Sequence, residues 1–165
     1  MSYRLHARCA CSSLGAPFAL AGTTRKYERS RPYTIRHLFL DLALDVPKKS
    51  VQGAATLDFE RLAHDAEKLV LDAVGFEVEK VELVSGEQSS PAAYEYDGDR
   101  LTVDVQGKRR GKLRVTYRAI PKRGLYFLEP DPSVKDRPRQ VWSQCQDEDA
   151  RHWFPCLDKP HVKMT

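Results

Sequence analysis

His37-Leu38-Phe39-Leu40-Asp41-Leu42-Ala43-Leu44-Asp45-Val46, followed by Pro47-Lys48-Lys49-Ser50 and then Val51-Gln52-Gly53-Ala54-Ala55-Thr56-Leu57-Asp58-Phe59, decides the fold. Leu38, Leu40, Leu42, Leu44 and Val46 alternate with His37, Phe39, Asp41, Ala43 and Asp45. That period of two puts one set of side chains on a buried face, as in a strand and not a helix. Pro47 to Ser50 supplies turn chemistry, and Val51, Gly53, Ala55, Leu57 and Phe59 resume the alternation, so residues 34–60 are expected to form a hairpin.

Downstream the pattern repeats in shorter units. Leu69 to Val74 and Phe76 to Val84 are rich in β-branched residues and are separated by Gly75. Tyr94 and Tyr96 lead into the turn signal Asp97-Gly98, after which Leu101, Val103 and Val105 alternate. Gly107 to Lys112 reads as another turn before Leu113, Val115 and Tyr117. Arg61 to Lys68 is a short polar stretch that reads as one helical turn or as a loop, and Pro121, Pro130, Pro132 and Pro138 mark the later region as loop-rich. About seven strands and no convincing long helix predict an all-β sheet or sandwich.

The 165 residues suffice for one domain with a sizeable core, and no stretch approaches the roughly 20 apolar residues of a membrane-spanning helix. No membrane span is expected. The net charge of +4 is unevenly placed: residues 1–34 carry six basic side chains against Glu28, and the remainder 21 basic against 22 acidic. The excess therefore lies on a leading arm, residues 1–32, expected to be disordered, and the body lacks the basic footprint of a nucleic-acid binder. Cys9, Cys11, Cys145 and Cys156 are too few and too scattered for a disulfide scaffold, which makes a reducing cytoplasm the default. A weak secretory look competes with it, since Arg4 and Arg8 precede a small-residue run ending Ala19-Leu20-Ala21, interrupted by Ser12, Ser13, Gly15 and Pro17.

The densest chemistry lies in Gln140-Val141-Trp142-Ser143-Gln144-Cys145-Gln146-Asp147-Glu148-Asp149-Ala150-Arg151-His152-Trp153-Phe154-Pro155-Cys156-Leu157-Asp158-Lys159-Pro160. Ser143-Gln144-Cys145-Gln146, then Ala150-Arg151, then Phe154-Pro155-Cys156-Leu157-Asp158-Lys159-Pro160 with Val162-Lys163 resembles a block of the zinc aminopeptidases of the aminopeptidase N and leukotriene A hydrolase family. The resemblance covers 33–165 and implies the saddle-like β-domain that stands N-terminal in that family. It implies that Gln144 and Gln146 help hold the amino end and first side chain of a peptide substrate. Acceptors placed together can bind an α-ammonium and set the register of the scissile bond. A spacing of two suits an extended segment in which both side chains face one way.

This chain departs from the family pattern at three positions. Gln146 replaces the glutamate of many members, as in the leukotriene A hydrolase branch, and a neutral amide holds an ammonium less tightly than a carboxylate. His152 stands for an arginine and Lys159 for a glutamate, changes expected to affect packing more than chemistry. The family's zinc ligands, His-Glu-x-x-His and a later Glu, and its Gly-x-Met-Glu-Asn loop are absent. The resemblance thus implies zinc in a parent enzyme, bound outside this chain, with no metal held here, and a catalytic domain following a β-domain truncated at its C-terminal end. By this mechanism the chain alone is not a catalyst.

Other readings compete. A non-catalytic β-sandwich interaction module, or a degenerate fragment, would keep the scaffold without the chemistry. Cys145, His152, Cys156 and His161 have the spacing C-x6-H-x3-C-x4-H, which lacks the close pair of a zinc knuckle. Cys145 or Cys156 with His152 would be a nucleophile pair without an evident orienting group. Both cysteines also suit plain packing, and the glutamines suit an ordinary surface. Lys108-Arg109-Arg110-Gly111-Lys112 reads as a phosphate patch or as a solvated hairpin tip, and Trp142 and Trp153 as cleft lining or as core anchors.

Overall fold

Among the described residues, ten strands and one 3-10 turn follow one another in the computed structural model: β1 (Tyr33–Asp45), β2 (Ser50–Arg61), β3 (Lys68–Asp72), β4 (Phe76–Ser85), β5 (Gln88–Pro91), β6 (Tyr94–Tyr96), β7 (Arg100–Asp104), β8 (Arg110–Ala119), β9 (Gly124–Leu128), β10 (Gln140–Gln144) and the turn Ala150–His152. The structure describes residues 30–131, 133, 134 and 137–165. The arm expected over 1–32 therefore lies almost wholly outside the described residues, as do Cys9, Cys11 and the secretory-like run. The all-β expectation is met.

Antiparallel pairing builds a five-stranded sheet in the order β1-β2-β8-β4-β5, a three-stranded sheet β3-β7-β6 and a two-stranded sheet β10-β9. The expected hairpin over 34–60 is β1 with β2, in which Leu38 faces Leu57, Leu40 faces Ala55 and Leu44 faces Val51. One hydrophobic core takes Ile35, Leu57, Leu113, Val115 and Tyr117 from the large sheet and Leu69, Leu71, Leu101 and Val103 from the three-stranded one. The apolar side chains of both sheets share a single interior, as in a sandwich.

Two bulges explain why the apolar parity changes within single strands. Tyr33 and Ile35 are buried, yet the stripe then continues at Leu38, because the β1 register slips between Ile35 and His37. In β4 the slip between Val78 and Lys80 moves the inward set from Phe76 and Val78 to Val81 and Leu83. An extra residue in one strand turns every later side chain over.

The structure corrects the expectation that the Leu38 to Leu44 set is buried. Leu38, Leu40 and Leu42 are only half-buried and Leu44 is 46% exposed, because β1 is the outer strand of its sheet and, among the described residues, has a paired strand on one side alone. At its other edge Leu38 N donates to Thr165 O (2.8 Å) and Thr165 N to Arg36 O (3.2 Å).

Three strands go beyond the predicted seven. β5 is short and wholly exposed, so it carries no apolar signal. β9 and β10 lie in the region read as loop-rich, and they pair with each other across the intervening prolines. A five-residue strand whose only partner is remote leaves little trace in local periodicity.

Candidate functional site

The β9-β10 hairpin positions the aminopeptidase-like block. Val141 faces Phe127 toward the core, and alternation puts Trp142 and Gln144 on the opposite face, with Tyr126 and Gly124 as their cross-strand partners. Tyr126 and Trp142 stack with ring centroids 4.7 Å apart and planes 21° from parallel. Gln144 is the last residue of β10; Gln146 lies in the following turn, and both are exposed. The expected extended segment with both glutamines on one face is therefore not formed. The strand ends between them, and its period of two does not carry to Gln146.

The turn is tied down from beneath. Asp149 N donates to Cys145 O (3.1 Å), and the Trp153 indole Nε1 donates to Cys145 Sγ (3.4 Å). Gly124 has φ +80°, and a Cβ there would lie 2.1 Å from the Asp149 carbonyl oxygen, so only glycine lets the turn close over β9. Tyr117 OH, rising from β8, donates to Trp153 O at 2.7 Å. Burial pushes the Tyr117 phenol far above its usual value, with a smaller contribution from Cys156, so it stays a donor.

The second half of the block is an anchor. Cys156 forms a bridge with Asp72 at the end of β3, Asp72 N donating to Cys156 O (2.7 Å) and Cys156 N to Asp72 O (3.1 Å). Asp158 N donates to Asp72 Oδ2 (3.2 Å), and Val74 N donates to Arg151 O (2.8 Å). Asp158 in turn accepts from Arg151 N and Arg151 Nε on the same oxygen, each at 3.0 Å, while Arg151 Nη2 donates to Asp158 O (3.1 Å) and to Glu148. Burial works against the Arg151 charge, but the Asp158 hydrogen bond and the nearby carboxylates of Asp72, Asp158 and Glu148 outweigh it and hold the guanidinium above its usual range. Lys159 Nζ donates to Glu148 Oε1 (2.7 Å), and this bond, with the Arg151 charge, holds the Glu148 carboxyl below its usual range. Lys159 thus has a partner here in Glu148.

Sequence reasoning put the interest of the block on its glutamines and missed this Asp72, Arg151, Asp158 anchor. The available signal was two opposite charges seven residues apart, flanking the apolar Phe154 to Leu157 run. Asp72 carried no signal, since it meets the block only through the fold.

The competing cysteine readings can be placed as well. Among the described residues no group of three or more His, Cys, Asp or Glu side chains is arranged to hold a metal ion, so Cys145, His152, Cys156 and His161 do not fit a zinc site. Cys145 and Cys156 are free thiols. Cys156 is 1% exposed, and burial, with the charges of Asp158 and Asp72, raises its thiol well above the usual range, which disfavours the nucleophilic thiolate. His152 is pushed down, chiefly by burial. In the basic run, Arg110 pairs with Glu60 (2.6 Å) and Lys112 with Asp58 (3.1 Å) across β2 and β8, which suits a solvated, self-paired surface. No helix among the described residues is long and apolar enough to cross a membrane.

Comparison with known proteins agrees with the block. The leucine aminopeptidase 2 of Phaeosphaeria nodorum is 31% identical over 140 residues, covering 81% of this chain and 22% of that protein. A leukotriene A-4 hydrolase homolog of Botryotinia fuckeliana is 31% identical over 139 residues, covering 79% and 22%. The solved native leukotriene A4 hydrolase of Saccharomyces cerevisiae superposes with a TM-score of 0.69 at 25% identity, over 81% of this chain and 22% of that one. An M1 zinc metallopeptidase from Deinococcus radiodurans, 20% identical with a TM-score of 0.61 over 82% and 31%, shares the fold. This chain spans about a fifth of the length of the curated relatives it matches. The peptidase M1 N-terminal domain family matches residues 24–165, and the chain belongs to that family.

Proposed function

We propose that this chain serves as the N-terminal domain of a zinc-dependent aminopeptidase that removes residues from peptide N-termini, and that Gln144 and Gln146 receive the substrate's amino end. The observation that carries this reading is that Gln144, at the end of β10, and Gln146, in the turn that follows, are both exposed beside a segment whose base is fastened to β3, β8 and β9 by buried and part-buried hydrogen bonds. Polar acceptors on a rigid support can orient an ammonium without first being ordered. Zinc and the general base come from residues outside this chain, in a catalytic domain that follows it, and no step of the hydrolysis is assigned to residues here. The parent protein works on peptides in the cytoplasm, a placement supported by two unpaired thiols among the described residues.

Titration of the isotopically labelled chain with L-leucinamide and with N-acetyl-L-leucinamide tests the glutamine assignment. Side-chain amide resonances of Gln144 and Gln146 should move with the free amine and stay in place with the acetylated one. Equal response to both, or to neither, would remove them from amino-terminus recognition. Reading the gene in frame past the codon for Thr165 tests the parent assignment, for which a downstream His-Glu-x-x-His is required.

A further inference from the structure

The β10 ladder holds Gln144 but stops short of Gln146. Gln144 pairs with Gly124 on β9, and Gln146 has no strand partner among the described residues. Cys145 is the joint between them, and it is held twice. Its carbonyl accepts Asp149 N at 3.1 Å. Its thiol accepts the Trp153 indole N–H at 3.4 Å and donates toward Gly124 O at 3.8 Å. A thiol is a weak donor and a weak acceptor, and this one uses both capacities at once, between a ring and a strand.

The indole is a fixed post. Trp153 O accepts Tyr117 OH at 2.7 Å, and Tyr117 is fully buried in β8. Trp153 N donates to Ala150 O at 3.1 Å. The Phe154 ring meets the indole edge-on, with centroids 4.5 Å apart and planes at 86°. β9 passes so close that a Cβ on Gly124 would lie 2.9 Å from Trp153 Cδ1. An indole hemmed in by main chain and ring does not follow Cys145 if the thiol moves. Its single N–H, a donor with no acceptor capacity, therefore fixes where the thiol goes. A binding group keeps its aim only when the groups behind it are themselves locked.

We infer that Trp153 is a positioning residue for amino-terminus recognition: through the Cys145 thiol it fixes Gln146 relative to Gln144 and so sets the spacing of the two amides. The inference rests on the reading of those glutamines as ammonium acceptors. Gln144 is the internal control, because β9 holds it whether or not the indole N–H is present. A side chain that merely stabilised the hairpin would loosen both glutamines together.

Three substitutions in the isotopically labelled 165-residue chain test it. Trp153→Phe keeps a ring and removes the N–H, Cys145→Ala removes the thiol, and Cys145→Ser keeps both a donor and an acceptor. Heteronuclear NOEs of the Gln144 and Gln146 side-chain amides, measured without ligand, read the positioning directly. Trp153→Phe and Cys145→Ala should each lower the Gln146 value and leave Gln144 near wild type, and Cys145→Ser should keep Gln146 ordered. In titrations with L-leucinamide the first two variants should each bind about three- to tenfold more weakly, the worth of one hydrogen bond. The double variant should bind no more weakly than either alone, since both remove the same contact. Thermal melts establish that each variant is folded where it is measured, and because the two reach that contact from opposite sides, either suffices should the other not fold. Unchanged Gln146 order, equal loosening of both glutamines, or a Cys145→Ser chain that behaves like Cys145→Ala overturns the inference. If the order changes as expected but wild type does not respond to L-leucinamide, the ammonium reading fails and the positioning of Gln146 stands. If wild type binds and the order does not change, the ammonium reading stands and the positioning role fails.

Discussion

Arg151→Met is the perturbation that most directly probes how the block is held. Methionine keeps the apolar stem of arginine and removes the guanidinium, so packing is largely spared. Lost with it are the Nε bond to Asp158 Oδ2 (3.0 Å), the Nη2 bond to Asp158 O (3.1 Å) and the contact with Glu148. The Asp158 side chain is only 8% exposed and is left with its backbone donor at residue 151. Removing one partner of a buried ion pair costs roughly 3–5 kcal/mol. The lower end applies, because Glu148 faces solvent and one hydrogen bond to Asp158 survives, giving about 3 kcal/mol. With a urea slope of about 1.5–2 kcal/mol per molar for a domain of this size, the unfolding midpoint should fall by about 1.5–2 M. Equilibrium urea unfolding followed by tryptophan fluorescence measures it. The double substitution Arg151→Met with Asp158→Leu should recover at least half the loss, since no buried charge then remains unpaired. A single-substitution cost below about 1 kcal/mol, or a double variant as unstable as the sum of its parts, would refute the reasoning.

Three further outcomes are expected. Tyr117→Phe should cost about 1–2 kcal/mol at neutral pH through the lost bond to Trp153 O. Because the folded-state phenol is raised above its unfolded value of 10.0, the wild-type advantage is complete below that pH and shrinks as pH rises past it; parallel melts of both proteins from pH 8 to 11 would show the two curves converge. Gly124→Ala places a Cβ 2.1 Å from the Asp149 carbonyl at φ +80° and should cost at least about 2 kcal/mol, whereas Gly98→Ala, with φ +97° but open space around it, should cost less; thermal melts would rank them. In the native chain a thiol alkylating reagent should modify the half-exposed Cys145 well before the buried Cys156, and peptide mapping by mass spectrometry after brief exposure would reveal the order.

Much of this protein is written locally. The alternation around Leu38 to Val46 and Val51 to Phe59, and the Asp97-Gly98 turn, determine strands and hairpins, because side-chain period and turn chemistry are properties of neighbours in sequence. The motif from Ser143 to Pro160 likewise identifies the family without a fold. Tertiary structure alone decided the rest. The bulges in β1 and β4, the half-exposed leucines of an outer strand and the pairing of β9 with β10 all depend on which strand lies beside which. So does the anchor. Arg151 and Asp158 are a recognisable pair in the sequence, but Asp72 lies 86 residues from Asp158 and joins it only when β3 is brought against the block. The exposure of Gln144 and Trp142 has the same origin: a period of two says that they share a face, and the packing of Val141 against Phe127 decides which face meets water.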